Sequence, residues 1–418
     1  MKDYILDNQK EIIDLGNNLF THPQLGYKEF INKQTLVDYF KKYGFKIENE
    51  CFETAFTVSI GKGKPHIGLI AELDALPTLG HKYANPDDNN AAHSCGHSTQ
   101  CTIQAAAMVA LKQRGLTKGK VTLFFTPAEE YTDIDYRKKL IKQKKIKYIG
   151  GKQNMIEKGL FDDCDCLIHL HTMSNNNYHY CVNTKQGGFV YKRITFIGKA
   201  AHAAVMPHEG INALNAYNLF NNAVNALRET FKEEDCVRVH GIIDEGGQTV
   251  NSIPEKIVYE CYVRSFNVDT ILELSKKIDN AAIHCCKAIG AKCKIETQPG
   301  YVPLEQSKPL NDFVYDHMLK DYKLEDIELN ASTMAASDLG DLSLFKPVIQ
   351  LGYGGFKGVA HSKDLEVIDP KRVYIETSKL IEDVVYDLIK DDKKIKEIKA
   401  AFKPRMSKED YLKLVTIK

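Results

Sequence analysis

The chain is predicted to be an α/β protein: a mostly parallel-sheet domain interrupted by a smaller βαββαβ domain. Three observations carry this. Apolar strand-like runs alternate with helical patterns before about residue 186, and again after about 300. Between them the order changes to strand, helix, strand, strand, helix, strand, the pattern of a ferredoxin-like split βαβ sandwich. The 418 residues also exceed what one ordinary core fills, so two domains are expected. The predicted boundaries are 1–186 with 300–418 for the larger domain and 187–299 for the insert.

The elements follow in order. Ile5, Ile12, Leu15 and Leu19 recur at helical spacing and predict a helix over 4–20. A second helix is expected over 30–43. His66 to Ala71 reads as a buried strand ending at Glu72-Leu73-Asp74, and 79–92 as a polar loop. An Ala-rich helix is expected over 98–114, then a buried strand at Val121 to Phe125. Strand, helix, strand at this spacing predicts parallel pairing, with functional groups at the carboxyl ends of the strands. Glu72, Asp74, Glu129 and Glu130 stand at such ends. Seven of the residues 137–147 are Lys or Arg, which reads as a solvated helix face.

In the insert, strands are expected at 190–197, 237–243, 257–263 and 292–297, with helices at 210–231 and 268–289. After it, Val348 to Leu351 is a predicted strand. The last long helix is expected to start at Asp369-Pro370, a capping residue followed by a proline.

Composition narrows the class. Hydrophobic residues at 43% and charged residues at 27% are ordinary for a globular protein. A net charge of +1 gives no reason to expect nucleic acid or an anionic membrane as partner. No apolar run is long enough to span a membrane, and Met1 to Asp7 lacks the apolar core of a signal peptide, so the cytoplasm is the expected location. Eleven cysteines in a long chain, two of them adjacent at Cys285-Cys286, read as reduced core residues rather than a disulfide scaffold.

Four groups could do chemistry. Cys95-Gly96-His97 lets a thiol and an imidazole reach one metal, with glycine allowing a sharp bend. Glu129-Glu130 follows a strand and a proline, so one carboxylate can bind metal while its neighbour faces a water. His169 and His171 lie on one strand and face the same way. His361 follows a glycine-rich loop without the lysine pattern of a phosphate cradle. Each has a bland reading alone: a chance spacing, an acidic turn, a core histidine, a surface histidine. Together they supply donors for two metal ions sharing a bridging ligand, with a glutamate free to move a proton.

At this point the chain resembles the di-metal amidohydrolases and metallopeptidases of clan MH. That group includes indole-acetyl-amino-acid hydrolases, p-aminobenzoyl-glutamate hydrolases, aminoacylases and carboxypeptidase relatives. The motifs that carry the resemblance are Glu72 to Pro77, His93 to His97, Thr126 to Glu130, Gly198 to Ala203, Asn251 to Glu255 and Ala360 to Ser362. Gly210 to Ala216 and Ser337 to Asp341 lean toward the p-aminobenzoyl-glutamate branch.

The resemblance implies a metal-dependent hydrolase of an N-acyl or aminobenzoyl amino acid, or of a dipeptide-like amide. Two divalent ions would be bound, zinc or manganese first, cobalt or nickel as alternatives. It implies Cys95 as the bridging ligand, with His97, Glu130, His171 and His361 completing the set. Glu129 would be general base and acid, and Asp74 would orient a ligand imidazole. The insert would be a lid and dimerisation domain making a homodimer. His202 would reach a neighbouring subunit's site and stabilise the oxyanion, while Asn251 and Arg264 would hold the substrate carboxylate. Without the resemblance, Arg264 reads as a surface charge.

The chain departs from the usual Cys-Gly-His-Asp-x-His continuation: Ser98 and Gln100 replace a carboxylate and an imidazole. Ser98 still offers a hydroxyl for hydrogen bonding but no charge. The departure keeps a second reading open, an inactive relative that binds metal or ligand without turnover.

Overall fold

A computed structural model describes residues 3–173 and 177–416. It divides into two compact units. The first comprises Met1–Lys185, Glu305–Ser332 and Asp341–Leu412; the second comprises Gln186–Leu304, Thr333–Gly340 and Lys413–Lys418.

Twelve strands build the two main sheets. In chain order they are β1 Glu48–Cys51, β2 Ala55–Lys62, β3 His66–Glu72, β4 Gly119–Thr126, β5 Cys166–Thr172, β6 Tyr180–Val182, β7 Gly188–Ile197, β8 Arg238–Glu245, β9 Lys256–Ser265, β10 Lys292–Pro299, β11 Ile327–Leu329 and β12 Val348–Tyr353. Eight helices matter here: α1 Gln9–Phe20, α2 Phe30–Lys42, α3 His97–Arg114, α4 Ile134–Lys142, α5 Gly151–Glu157, α6 Ala213–Leu227, α7 Val268–Ala288 and α8 Thr377–Leu388.

The first unit holds an eight-stranded sheet in the order β1-β2-β4-β3-β5-β12-β6-β11. Its centre, β4-β3-β5-β12, is parallel throughout. Every residue of β3 and β12 is buried, as the continuous apolar runs require of strands covered on both faces. Helix α3 packs against β3, α1 and α8. Residues 97–111 of α3 are all buried, which explains a sequence dominated by small and apolar residues rather than by a single stripe. Parallel strands bring the ends of β3, β4, β5 and β12 to one edge of the sheet, and the candidate site stands there.

Two local expectations shift. The helix expected over 4–20 breaks at Asn8, whose backbone leaves helical geometry. The last helix is capped at Asp369, whose Oδ1 accepts from Arg372 N, but its first turn over Lys371–Glu376 is a wide π turn before α8. Val373, Leu380, Val384 and Leu388 are buried as the spacing predicts.

The second unit holds an antiparallel sheet in the order β8-β9-β7-β10, with α6 and α7 packed on it. Strand β7 alternates, burying Val190, Lys192, Ile194 and Phe196. Lys192 is tolerated there because its Nζ reaches Asp279 Oδ1 of α7 at 2.6 Å and Thr297 Oγ1 of β10 at 2.8 Å. Among the described residues no helix is long and apolar enough to cross a membrane, and all eleven cysteines are free.

Candidate metal centre and active site

Cys95 and His97 flank Gly96, which has φ +78° and begins α3. A Cβ there would run into Thr172 Cγ2 of β5, so only glycine allows this approach. The bend turns both neighbouring side chains toward the ends of β3 and β5. Cys95 Sγ lies 3.4 Å from His171 Nε2. Cys95, His97 and His171 form one set of donor atoms all within 4.8 Å of one another; Cys95, Glu130 and His361 form a second; Glu72, His97 and Glu129 form a third. Cys95 is common to the first two.

Each donor is aimed by a neighbour. His97 Nδ1 sits 2.9 Å from Asp74 O and 3.3 Å from Asp74 Oδ1, which leaves Nε2 facing the cluster. The other Asp74 oxygen accepts from Glu130 N at 2.9 Å, so one carboxylate fixes both an imidazole and the following turn. His171 Nδ1 is 2.9 Å from Thr172 O, leaving Nε2 inward. His361, at φ +66°, donates its backbone N–H to Ser94 O at 2.7 Å, and its Nε2 lies 3.4 Å from Glu130 Oε1.

The electrostatics follow from a thiol, a carboxyl and imidazoles packed against one another. Burial and the Glu130 charge push the Cys95 thiol up, but His171 and His97 outweigh them and leave it at about 6. Burial also pushes Glu130 up, yet His361 and His97 bring it down to about 2. Hydrogen bonds to Cys95 and Glu130 raise His361 to about 11. Protons are thus held on imidazoles where ions would replace them. His97 Nε2 and Glu130 Oε1 are buried with only loose partners, Glu72 Oε2 at 3.2 Å and His361 Nε2 at 3.4 Å, neither a well-formed hydrogen bond. A thiolate, three imidazoles and a carboxylate with under-satisfied atoms pointing inward fit divalent metal.

Lys152, which no motif singles out, and residues already named complete the surroundings. Lys152 is fully buried, its Nζ 2.6 Å from Glu72 Oε1. Gln100 donates to the other Glu72 oxygen at 3.0 Å and accepts from Glu72 N at 3.3 Å. The Gln100 departure therefore has a defined job in the core. Ser98 does not: the hydroxyl it offers is buried without a hydrogen-bond partner. His169 lies one strand step before the cluster, between Gln350 Oε1 at 3.1 Å and Glu72 Oε1 at 3.1 Å.

The basic stretch is corrected as well. Lys139, Lys142, Lys144, Lys145 and Lys147 are exposed, but Arg137 is fully buried and bonds to backbone carbonyls. A charged residue whose partners are carbonyls leaves no mark in a charge pattern.

His202, Asn251 and Arg264 belong to the second unit. His202 is exposed and bridges Ser252, while Ala203 N donates to Asn251 O at 3.0 Å, so His202 and Asn251 stand on neighbouring loops. Arg264 is not the surface charge its position suggested. It is half-buried over the rings of Phe189 and Tyr262, with Nη1 donating to Met334 O at 2.9 Å.

The model of the peptidase family M20/M25/M40 matches residues 68–387. The chain belongs to that family. It is 26% identical to the Xaa-Arg dipeptidase of Homo sapiens over 436 residues, covering 96% of this chain and 91% of the relative. It is 29% identical over 265 residues to one of the subunits of the p-aminobenzoyl-glutamate hydrolase of Escherichia coli K12, covering 60% of this chain and 50% of that relative. In fold it is similar to the Bacillus subtilis YXEP protein, described as a dinuclear metal binding peptidase of the M20 family. That match has a TM-score of 0.72 at 16% identity, with 92% of this chain and 99% of the other covered. The chain is thus a hydrolase of the family that acts on amide and peptide bonds.

Proposed function

We propose that this M20 hydrolase cleaves the amide bond of an N-acyl or aminobenzoyl amino acid, or of a dipeptide-like substrate, with two divalent metal ions. The observation that carries this reading is the membership of Cys95 in two donor sets, His97 with His171 and Glu130 with His361. A thiolate has lone pairs for two ions, so Cys95 would be the ligand the two sites share, whereas His97, also in two sets, offers a single lone pair at Nε2. Thiolate with imidazole favours zinc, while the mixed nitrogen and oxygen donors also suit manganese, cobalt or nickel.

When bound, the ions polarise the amide carbonyl and acidify the attacking water. Glu129 is 5% exposed, and its Oε2 lies 3.9 Å from His97 Nε2, beside the donors without belonging to either set that contains Cys95. It takes the proton from the water and returns it to the leaving nitrogen, so the products are a carboxylate and an amine. Asp74 keeps His97 in the orientation that presents Nε2. In the insert, residues 187–299, His202 serves the oxyanion of a partner subunit's site, and Asn251 and Arg264 take the substrate carboxylate. This makes a homodimer the working form.

The test is a panel of N-acyl amino acids, Xaa-Arg and other dipeptides, hippurate and p-aminobenzoyl-glutamate, with metal-loaded protein and Glu129→Gln. Amine release by the parent and a loss of about 10²–10⁴-fold in the variant, at equal metal content, are expected. Binding without amine release from any member would refute hydrolysis, and an undiminished Glu129→Gln would refute the assignment of the base.

A further inference from the structure

The turn that carries both glutamates is strained. Ala128, immediately before Glu129, sits at φ +55°, a left-handed conformation that costs a non-glycine residue about 1–2 kcal/mol. Such a conformation persists only where its surroundings over-determine it. Here two buried polar side chains from separate parts of the chain do so.

On one side is Glu29, fully buried at the start of α2. Its Oε1 accepts from Ala128 N at 3.0 Å, and Thr54 Oγ1 holds its other oxygen. On the other side is Arg137 of α4. Its Nη1 donates to Ala128 O at 3.3 Å and to Ile149 O at 3.4 Å, and its Nη2 donates to Glu130 O. The guanidinium thus spans the carbonyls on either side of Glu129. Gly26 makes room for it: a Cβ there would lie 2.6 Å from Arg137 Nη2 and 2.8 Å from Ala128 Cα. A planar fork of donors suits two carbonyls at fixed separation, which a single ammonium does not match.

We propose that Arg137 is a positioning residue for the hydrolysis. With Glu29 it locks the Ala128–Glu130 turn so that the Glu129 and Glu130 carboxylates enter the donor cluster at the required angle. The basic stretch 137–147 then has a buried purpose at its first residue and a solvated face in its lysines. This inference rests on the reading of Glu129 as proton carrier and Glu130 as ligand. Misplacing a reacting group by about 1 Å costs on the order of 10²-fold in rate.

The experiment compares the parent, Arg137→Ala, Arg137→Lys, and Lys139→Ala with Lys142→Ala as a double control on the same helix. Arg137→Ala is expected to lose about 10²-fold in kcat with KM nearly unchanged, to recover part of it with added methylguanidinium, and to be poorly replaced by lysine. The lysine control should match the parent. A readout independent of turnover is titration with cobalt(II), followed by the thiolate-to-cobalt band of Cys95. Arg137→Ala should keep the first equivalent and bind the second more weakly, because only the set with Glu130 is loosened. Should Arg137→Ala fail to fold, Gly26→Ala pushes on the same guanidinium and the same turn without removing either side chain, and the same kcat and cobalt signature is expected. A folded variant with parental kcat and parental cobalt binding overturns the proposal, as does a defect confined to KM. An inactive parent would instead refute the hydrolytic reading, and the cobalt titration would still decide the role of Arg137.

Discussion

Replacing Lys152 with methionine strips Glu72 of its counter-charge inside the core. Both side chains are fully buried, and Nζ lies 2.6 Å from Oε1. At an effective dielectric near 20 that separation is worth roughly 6 kcal/mol of attraction. Desolvating the two ions costs several kcal/mol each, so the intact pair contributes little net stability. The broken pair is another matter. Burial pushes the Glu72 carboxyl up; Lys152 leads the groups that hold it well below the usual carboxylate range, followed by His169 and His97. Without the lysine, the carboxylate keeps its desolvation cost and retains only the Gln100 amide at 3.0 Å and the two imidazoles. Lys152→Met is therefore expected to lose about 3–5 kcal/mol in urea unfolding. Lys152→Met with Glu72→Gln should lose less than the single change, because no charge is then left stranded. A loss under about 1 kcal/mol, or a double variant no milder than Lys152→Met, would refute the reasoning.

Three further outcomes are expected. Asp74→Asn keeps the shape but cannot accept from both Glu130 N and His97 Nδ1, so metal affinity should fall by about 10–100-fold in a chelator competition. Gly96→Ala combines a left-handed backbone with a clash at Thr172 Cγ2 and should cost about 2–5 kcal/mol in thermal unfolding, with loss of metal retention. His66 is pushed down to about 4 by burial, with Lys120 and Lys64 adding to it. Its folded form takes up a proton less readily than the unfolded chain, so stability falls as pH drops from about 6.5 toward 4, by up to about 3 kcal/mol. His66→Gln should flatten that part of the profile, and an unchanged slope would remove His66 as its source.

The elements that could be read from the chain were those written locally. The centre of β3 is a continuous apolar run, β4 is buried along nearly its whole length, and β9 alternates. Cys95-Gly96-His97 carries its own bend. Glu129-Glu130 ends a strand, and topology alone then puts it on the same sheet edge. The residues that escaped were charges whose partners lie far off in sequence. Lys152 meets Glu72 across 80 positions, and Ala128 meets Glu29 across 99. A buried charge looks like a surface charge until its partner is known. The same limit applied to the two strand histidines: facing the same way, they differ only in how far along β5 each stands, and only His171 reaches Cys95.

The placement of β12 has a bearing on how the chain folds. All four strands and both helices of the inserted sandwich lie between residues 188 and 299, so that core is complete in one uninterrupted stretch. The host sheet has no such luxury: β12, from residues 348–353, fits between β5 and β6, which precede the insert. During synthesis the insert can close while β5 and β6 still wait for their middle neighbour, with unpaired edges open to wrong partners. The proposed metal donors share that delay. Cys95, His97, Glu130 and His171 emerge early, but His361 follows β12. A metal site of these residues would therefore form only after β12 is in place, and an ion captured there would report that the centre of the host sheet has come together.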